Sequence, residues 1–188
     1  MSRQDRTRRG LLDAATLVLS KDSGASLAEV AAFAGAGRTT LHRHFATREE
    51  LIRALVIDAL DRVAAAIADA EPNDGPAIDA LQRIADTVIP QGPSLRFLAS
   101  EPASYSAPEL MRRWYDALEP VAEAVRRGQR DGSIRAELPV PWVVDAYAGA
   151  ILTASDSVDE GRLARHDAPR LVMSTVLYGV AQQPRPTP

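Results

Sequence analysis

A short run of hydrogen-bond donors and cations, RTTLHRHF at residues 38–45, is the part of the chain best suited to chemistry. If the run is helical, Leu41 and Phe45 lie one turn apart and face inward. None of the six remaining residues is acidic, although the chain holds 25 acidic and 22 basic residues. Such a face suits a negatively charged partner, and our first hypothesis is the DNA major groove. The six residues are Arg38, Thr39, Thr40, His42, Arg43 and His44.

The residues before this run predict a second short helix and a tight turn. Ser26 and Glu29 have the spacing of a capping box, in which each side chain binds the backbone of the other residue. Gly35 suits the left-handed conformation that often ends a helix. Two short helices around such a turn are typical of a helix-turn-helix.

The residues after the run predict a long helix. Thr47 and Glu50 have the spacing of a second capping box. Arg48 lies at the start of that helix, where a phosphate oxygen would also meet free backbone N–H groups. The cationic surface is therefore expected to continue past Phe45.

These elements predict an all-α protein with an N-terminal head and a larger helical body. Residues 1–46 are expected to form a three-helix helix-turn-helix domain, residues 47–183 a helical domain punctuated by Pro and Gly, and residues 184–188 a loose tail. We expect a break in the helices at residues 90–93, PQGP. No alternating run of β-branched residues is long enough to predict a strand.

Composition excludes several classes of protein. The chain has no cysteine, which excludes disulfides, thiolate metal sites and thiol nucleophiles. No apolar run approaches the ~18 residues of a membrane span, and the N-terminus lacks the apolar core of an export signal. We therefore expect a cytoplasmic location. The net charge is −3, with +2 over residues 1–50 and −5 over residues 51–188, so a mildly basic head precedes an acidic body.

The sequence does not favour an enzyme. It shows no cluster of Asp, Glu and His at helical spacing and no phosphate-binding loop. His42 and His44 are two residues apart and do not share a helix face, so we expect no metal site and no cofactor. The alternative that stays open is a helical ligand-binding or adaptor protein without DNA binding.

The pattern over about residues 8–57 resembles the tetracycline-repressor (TetR) family of bacterial regulators. The resemblance rests on SLAEVA, AG-x-G-RTTLHRHF and A-T-R-E-E-L at the right spacing. It implies a homodimeric regulator that binds double-stranded DNA, most often a repressor released from a palindromic operator by a small molecule. The chain departs from the family at His42, where Tyr is usual, and at Gly37, where Ser is common.

The resemblance also implies roles for individual residues. Those expected to face bases or nearby phosphates are Arg38, Thr39, Thr40 and Arg43. Those expected to hold the phosphate backbone are His42, His44 and Arg48, and Ser26 would place a helix N-terminus on phosphate. An inducer cavity is expected along the central helices, lined by Phe97, Met111, Trp114, Tyr115 and Tyr147, although aromatic residues of this kind also fill ordinary helical cores.

Apolar residues on more than one face of the last two helices predict a dimer interface. Two such helices from each chain would form a four-helix bundle. The alternative is an internal helix pair in a monomer. The residues predicted to lie in the interface are Val143, Ile151, Leu171, Val172, Thr175, Val176, Tyr178 and Gly179.

Overall fold

The fold is all-α, as the sequence predicts. A computed structural model describes residues 3–102 and 106–180, and these ranges contain no β-strand. None of their helices is both long and apolar enough to cross a lipid bilayer. The helices are α1 (Arg3–Leu19), α2 (Leu27–Phe33), α3 (Arg38–His44), α4 (Arg48–Asp69), α5 (Ala77–Val88), α6 (Gly92–Ser100), α7 (Pro108–Asp131), α8 (Val140–Asp159) and α9 (Ala168–Val180).

The chain divides into two compact units, and the first contains the helix-turn-helix. This unit comprises Met1–Arg62 and Pro93–Trp114. Within it α1 packs on α2, and α2 packs on α3. The predicted boundaries at residues 46 and 183 stay predictions, and the predicted tail lies outside the described residues.

The core of the first unit follows from apolar residues at helical spacing. Leu11, Ala15 and Leu19 of α1 recur every four residues and are at most 1% exposed. Leu51 and Leu55 of α4 are fully buried. Each helix thus presents an apolar stripe inward and polar residues to water.

Four charged side chains join α1 to α4 in a closed ring. The Asp58 carboxylate accepts hydrogen bonds from Arg9 and from Arg62, the latter at 2.8 Å. Asp13 pairs with the same two arginines. The Asp58 side chain is only 10% exposed, and a carboxylate so little exposed requires partners such as these two arginines. We call these four residues the charge ring.

The second unit comprises Val63–Gly92 and Tyr115–Pro188. In it α9 packs against α8 and α5. The buried Tyr147 hydroxyl donates a hydrogen bond to the Leu81 carbonyl. Burial, and then the nearby Asp86, raise the pKa of this phenol, so Tyr147 acts as a neutral donor.

The predicted break at residues 90–93 lies where α5 ends and α6 begins, but it takes the form of a 3-10 turn and not of an open loop. The chain passes from α5 through a 3-10 turn, Ile89–Gln91, directly into α6. Pro90 lies at the start of that turn and Pro93 in the first turn of α6. A proline at the start of a helix loses no hydrogen bond, because the first N–H groups have no partner within the helix. These prolines therefore begin new helical segments after α5 ends, which keeps the break short.

We expect Asp58→Asn to lower the free energy of unfolding by about 1–3 kcal/mol, because it removes the charge that two arginines share. Denaturant unfolding followed by circular dichroism measures this change. Asp61→Asn is the matched control. Asp61 pairs only with Arg113 among the described residues, and its side chain is 64% exposed. That variant should stay within about 0.5 kcal/mol of the wild type. Equal losses in the two variants would contradict a special role for the charge ring.

Candidate nucleic-acid interface

Helix α3 exposes polar and cationic side chains and buries two apolar ones. Leu41 is 0% exposed and Phe45, which caps the C-terminus, is 2% exposed, as the spacing predicts. The first turn of α3 holds no acidic residue, and its last turn is basic. The exposed side chains of α3 are Arg38, Thr39, His42 and Arg43, and Thr40 is half-buried.

The two arginines of this face differ from most arginines of the first unit. Within the described residues, neither Arg38 nor Arg43 forms an ion pair or a hydrogen bond through its guanidinium. Arg9, Arg53 and Arg62, by contrast, each bind a carboxylate. The α3 surface therefore presents positive charge that the rest of the unit does not neutralise.

The capping box at Ser26 fixes the start of α2 and is confirmed. The Glu29 N–H donates to Ser26 Oγ at 3.2 Å, and the Ser26 N–H donates to Glu29 Oε2 at 2.7 Å. Hydrogen bonds to the Glu29 carboxylate, from the Ser26 backbone and then from the Ser26 side chain, lower the pKa of Glu29. Gly35 adopts a φ of +61°, which ends α2 in the predicted left-handed conformation.

The second capping box forms in only one direction. The Glu50 N–H donates to Thr47 Oγ1 at 3.1 Å, as predicted. The Glu50 carboxylate, however, accepts from the Ala46 N–H at 2.7 Å. The predicted return bond to the Thr47 N–H is therefore displaced by one residue.

A contact between α1 and the end of α3 is not predicted by the sequence. The Arg8 guanidinium lies over the Phe45 ring, 5.2 Å from its centroid. A cation over an aromatic face is attracted by the ring quadrupole. No local spacing links the two residues, so the sequence alone carries no signal for this pair.

Of the predicted phosphate contacts, Ser26 and Arg48 are hydrogen-bonded within the unit, and His44 is half-buried. Ser26 uses its hydroxyl and N–H in the capping box, beside the Glu29 carboxylate. His44 is half-buried, and its buried Nε2 has no hydrogen-bond partner among the described residues. Arg48 donates to the carbonyl oxygens of Ala25 and Ser23, each at 2.6 Å. The exposed face of α3 therefore provides the clearest set of candidate DNA contacts.

The predicted cavity residues are divided between the two units. Phe97, Met111 and Trp114 belong to the first unit, and Tyr115 and Tyr147 to the second. Phe97 is 1% exposed and Tyr147 2%, whereas Tyr115 is 63% exposed. Met111 and Trp114 are half-buried.

Two grooves in the first unit are lined by other residues. One, of about 320 Å³, lies along α1 and α4. The other, of about 410 Å³, is lined by Arg48, Glu49, Ile52, Arg53, Glu101, Ser106, Ala107 and Leu110. None of the five predicted cavity residues lines either groove.

The predicted dimer residues are mostly part of the core of the chain itself. Val143, Ile151, Val172 and Val176 are at most 6% exposed without any partner. Leu171 is 40% exposed and Thr175 is also exposed. The exposure of Tyr178 and Gly179 lies outside the described part of the structure.

The exposed side of α8 is made of different residues. Trp142 is 64% exposed, and Ala146, Gly149 and Thr153 follow it at helical spacing and are exposed too. A Cβ atom added at Gly149 meets no heavy atom within 4 Å. This side of the helix is thus open in the single chain.

Comparison with known proteins gives consistent matches. Residues 11–55 match the family described as bacterial regulatory proteins, tetR family. The chain is 33% identical over 182 residues to the HTH-type transcriptional repressor LfrR of Mycolicibacterium smegmatis. The aligned region covers 97% of this chain and 94% of LfrR.

Solved structures show the same fold. The crystal structure of LfrR from Mycobacterium smegmatis in complex with proflavine aligns with a TM-score of 0.79 and 32% identity, covering 95% of this chain and 99% of that chain. The ketosteroid transcriptional regulator KstR2 of Mycobacterium tuberculosis aligns with a TM-score of 0.74 over 94% of this chain and 95% of that chain. KstR2 shares only 20% identity, so that likeness concerns the fold.

Proposed function

We propose that α3 is the helix that reads DNA in this chain, which belongs to the TetR family of bacterial regulatory proteins and is a DNA-binding transcriptional regulator. The exposed, acid-free face of α3 is the observation that carries the proposal. In a helix-turn-helix the second helix enters the major groove and its N-terminal residues meet base edges. Helix α3 is that second helix.

Each exposed side chain of α3 suits a particular contact. Arg38 and Arg43 have forked guanidinium groups that match O6 and N7 of a guanine. The methyl groups of Thr39 and Thr40 suit the methyl group of thymine. His42 takes a position on the phosphate backbone. The partly buried His44 serves the packing of the head more than the contact with DNA.

The regulator is proposed to act as a homodimer. The interface is proposed to lie on the exposed surfaces of α8 and α9, which include Trp142, Gly149 and Leu171. The valines predicted from the sequence are buried within the single chain and are not its central residues. Two-fold symmetry then requires a near-palindromic operator. Its half-sites would lie about 34–36 Å apart, or a multiple of this distance. The place of action is the cytoplasm.

A small molecule is proposed to release the regulator from its operator. Support comes from the relative LfrR, a repressor of which a proflavine complex is known. Any such ligand shifts the balance only by its differential affinity for the two states. Met111 and Trp114 are the half-buried candidates for its site. Thermal unfolding with proflavine tests this class of ligand, because a bound ligand raises the melting temperature. An unchanged melting temperature would count against it.

Two alternative functions, an enzyme and an adaptor without DNA binding, have less support. The relatives found are transcriptional regulators, which does not favour an enzyme. An adaptor without DNA binding would have no need of an unpaired cationic face on α3, and no described feature favours it. If the wild-type protein showed no salt-dependent binding to the promoter DNA of its own gene, that result would support this alternative.

We expect Arg38→Ala to weaken binding to the natural operator by about 1–3 kcal/mol and to relax specificity at one base position. The reason is the loss of a bidentate contact to guanine. Fluorescence anisotropy with the operator and with single-base variants measures both effects.

Arg165→Ala is the matched control, since Arg165 is an exposed arginine outside the helices. It should leave operator affinity unchanged. An Arg38→Ala variant that binds every operator variant as tightly as the wild type would contradict the assignment.

We expect Gly149→Arg to convert the dimer to monomer while the single chain stays folded. The space around Gly149 is open in the single chain, but an arginine there would block a partner. Sedimentation velocity measures the mass, and circular dichroism checks the helices. Gly149→Ala is the control and should remain a dimer. A dimeric Gly149→Arg variant would show that the interface lies elsewhere.

A further inference from the structure

Arg48 is tied to the segment that leads into α2. Its Nη1 donates to the Ala25 carbonyl oxygen at 2.6 Å and its Nη2 to the Ser23 carbonyl oxygen at 2.6 Å. Arg48 is the first residue of α4, and residues 23–25 directly precede Ser26, the N-cap of α2. One guanidinium therefore joins the start of α4 to the start of α2.

The segment that Arg48 holds is itself ordered by local bonds. The Gly24 N–H donates to Asp22 Oδ1 at 2.9 Å, and the Ala25 N–H to the Asp22 carbonyl at 3.1 Å. The Ser23 and Ala25 carbonyls lie outside the helices, so they are available as acceptors. Charged donors make stronger hydrogen bonds to such carbonyls than neutral donors do.

We infer that Arg48 is a positioning residue for DNA recognition and does not serve as a phosphate ligand. This inference rests on the proposed role of α3. Arg48 fixes where α2 begins, and α2 packs on α3. The two bonds from Arg48 to the Ser23 and Ala25 carbonyls, which we call the clamp, therefore set the orientation of α3. That orientation determines how α3 presents Arg38 and Arg43. The two carbonyl bonds use both terminal nitrogens of the guanidinium and so direct its fork toward residues 23–25.

The chemistry of arginine and lysine separates the two roles. A phosphate contact needs a positive charge, which lysine also supplies as a point charge. The clamp needs a planar fork that reaches two separate carbonyl oxygens, and lysine lacks that fork. Arg48→Lys therefore keeps the charge and removes the clamp, whereas Arg48→Met removes both.

The first test is operator binding of the full-length protein at several NaCl concentrations, using the DNA fragment that the wild type protects. For a positioning role, Arg48→Lys and Arg48→Met both weaken binding about tenfold, because in both variants α3 is no longer held in the orientation that binds DNA. Both variants keep the wild-type slope of log K against log salt. Arg43→Ala provides a comparison in which an exposed cation of α3 is removed.

A phosphate contact gives the opposite pattern. Arg48→Lys would then bind nearly as well as the wild type, and Arg48→Met would reduce the salt slope by about 0.9. Either result overturns the inference.

The second test needs no DNA, so it separates a failure of this inference from a failure of the proposed function. Hydrogen exchange is measured on the free protein at two amides near the start of α2, those of Glu29 and Val30, which donate to Ser26. A clamp predicts at least several-fold faster exchange there in Arg48→Lys, with unchanged exchange in α8 as evidence of intact folding. Exchange at wild-type rates in α2 overturns the inference.

Discussion

The burial of Leu41 and Phe45 is the constraint on which the proposed interface depends. These two side chains, one turn apart, fix the rotation of α3 about its own axis. Once they are inside, Arg38, Thr39 and Arg43 must face water. A helix of seven residues is too short to be stable alone, so this packing also keeps it helical.

The neighbours of an arginine in the first unit determine whether its charge is paired within the protein or left for an external partner. Arg9 and Arg62 share the carboxylates of the charge ring and so connect α1 with α4. Arg48 is occupied by backbone carbonyls. Arg38 and Arg43 have no such partner in the described residues, and their charge is left for an external one. A modest excess of positive charge in residues 1–50 is thereby concentrated on one helix face.

Much of the head could be predicted because its signals are local. The Ser26–Glu29 box, the left-handed Gly35 and the buried pair of α3 all follow from spacings of three or four residues. Contacts between distant segments could not be predicted in this way. The charge ring, the Arg8–Phe45 contact and the partners of Arg48 depend on how helices come together.

The same reason explains the weaker predictions for the second unit. Apolar residues of α8 and α9 show in the sequence that these helices are buried on one side, but not whether by their own chain or by a partner. Val143 and Val176 are covered by their own chain, while Trp142 is left open. The cavity residues are predicted from residue type and from their position on the central helices, and neither distinguishes a ligand wall from a core.

The central claim is that two copies of α3 read the major groove of one operator. Methylation interference at guanine N7, which lies in the major groove, tests it most directly. The account predicts that methylated guanines block binding of the wild-type protein in two symmetric clusters, separated by one or more helical turns. It also predicts that one guanine in each cluster loses its effect in Arg38→Ala. Binding that tolerates methylation at every guanine N7 of a guanine-containing site, in wild type and variant alike, would contradict it.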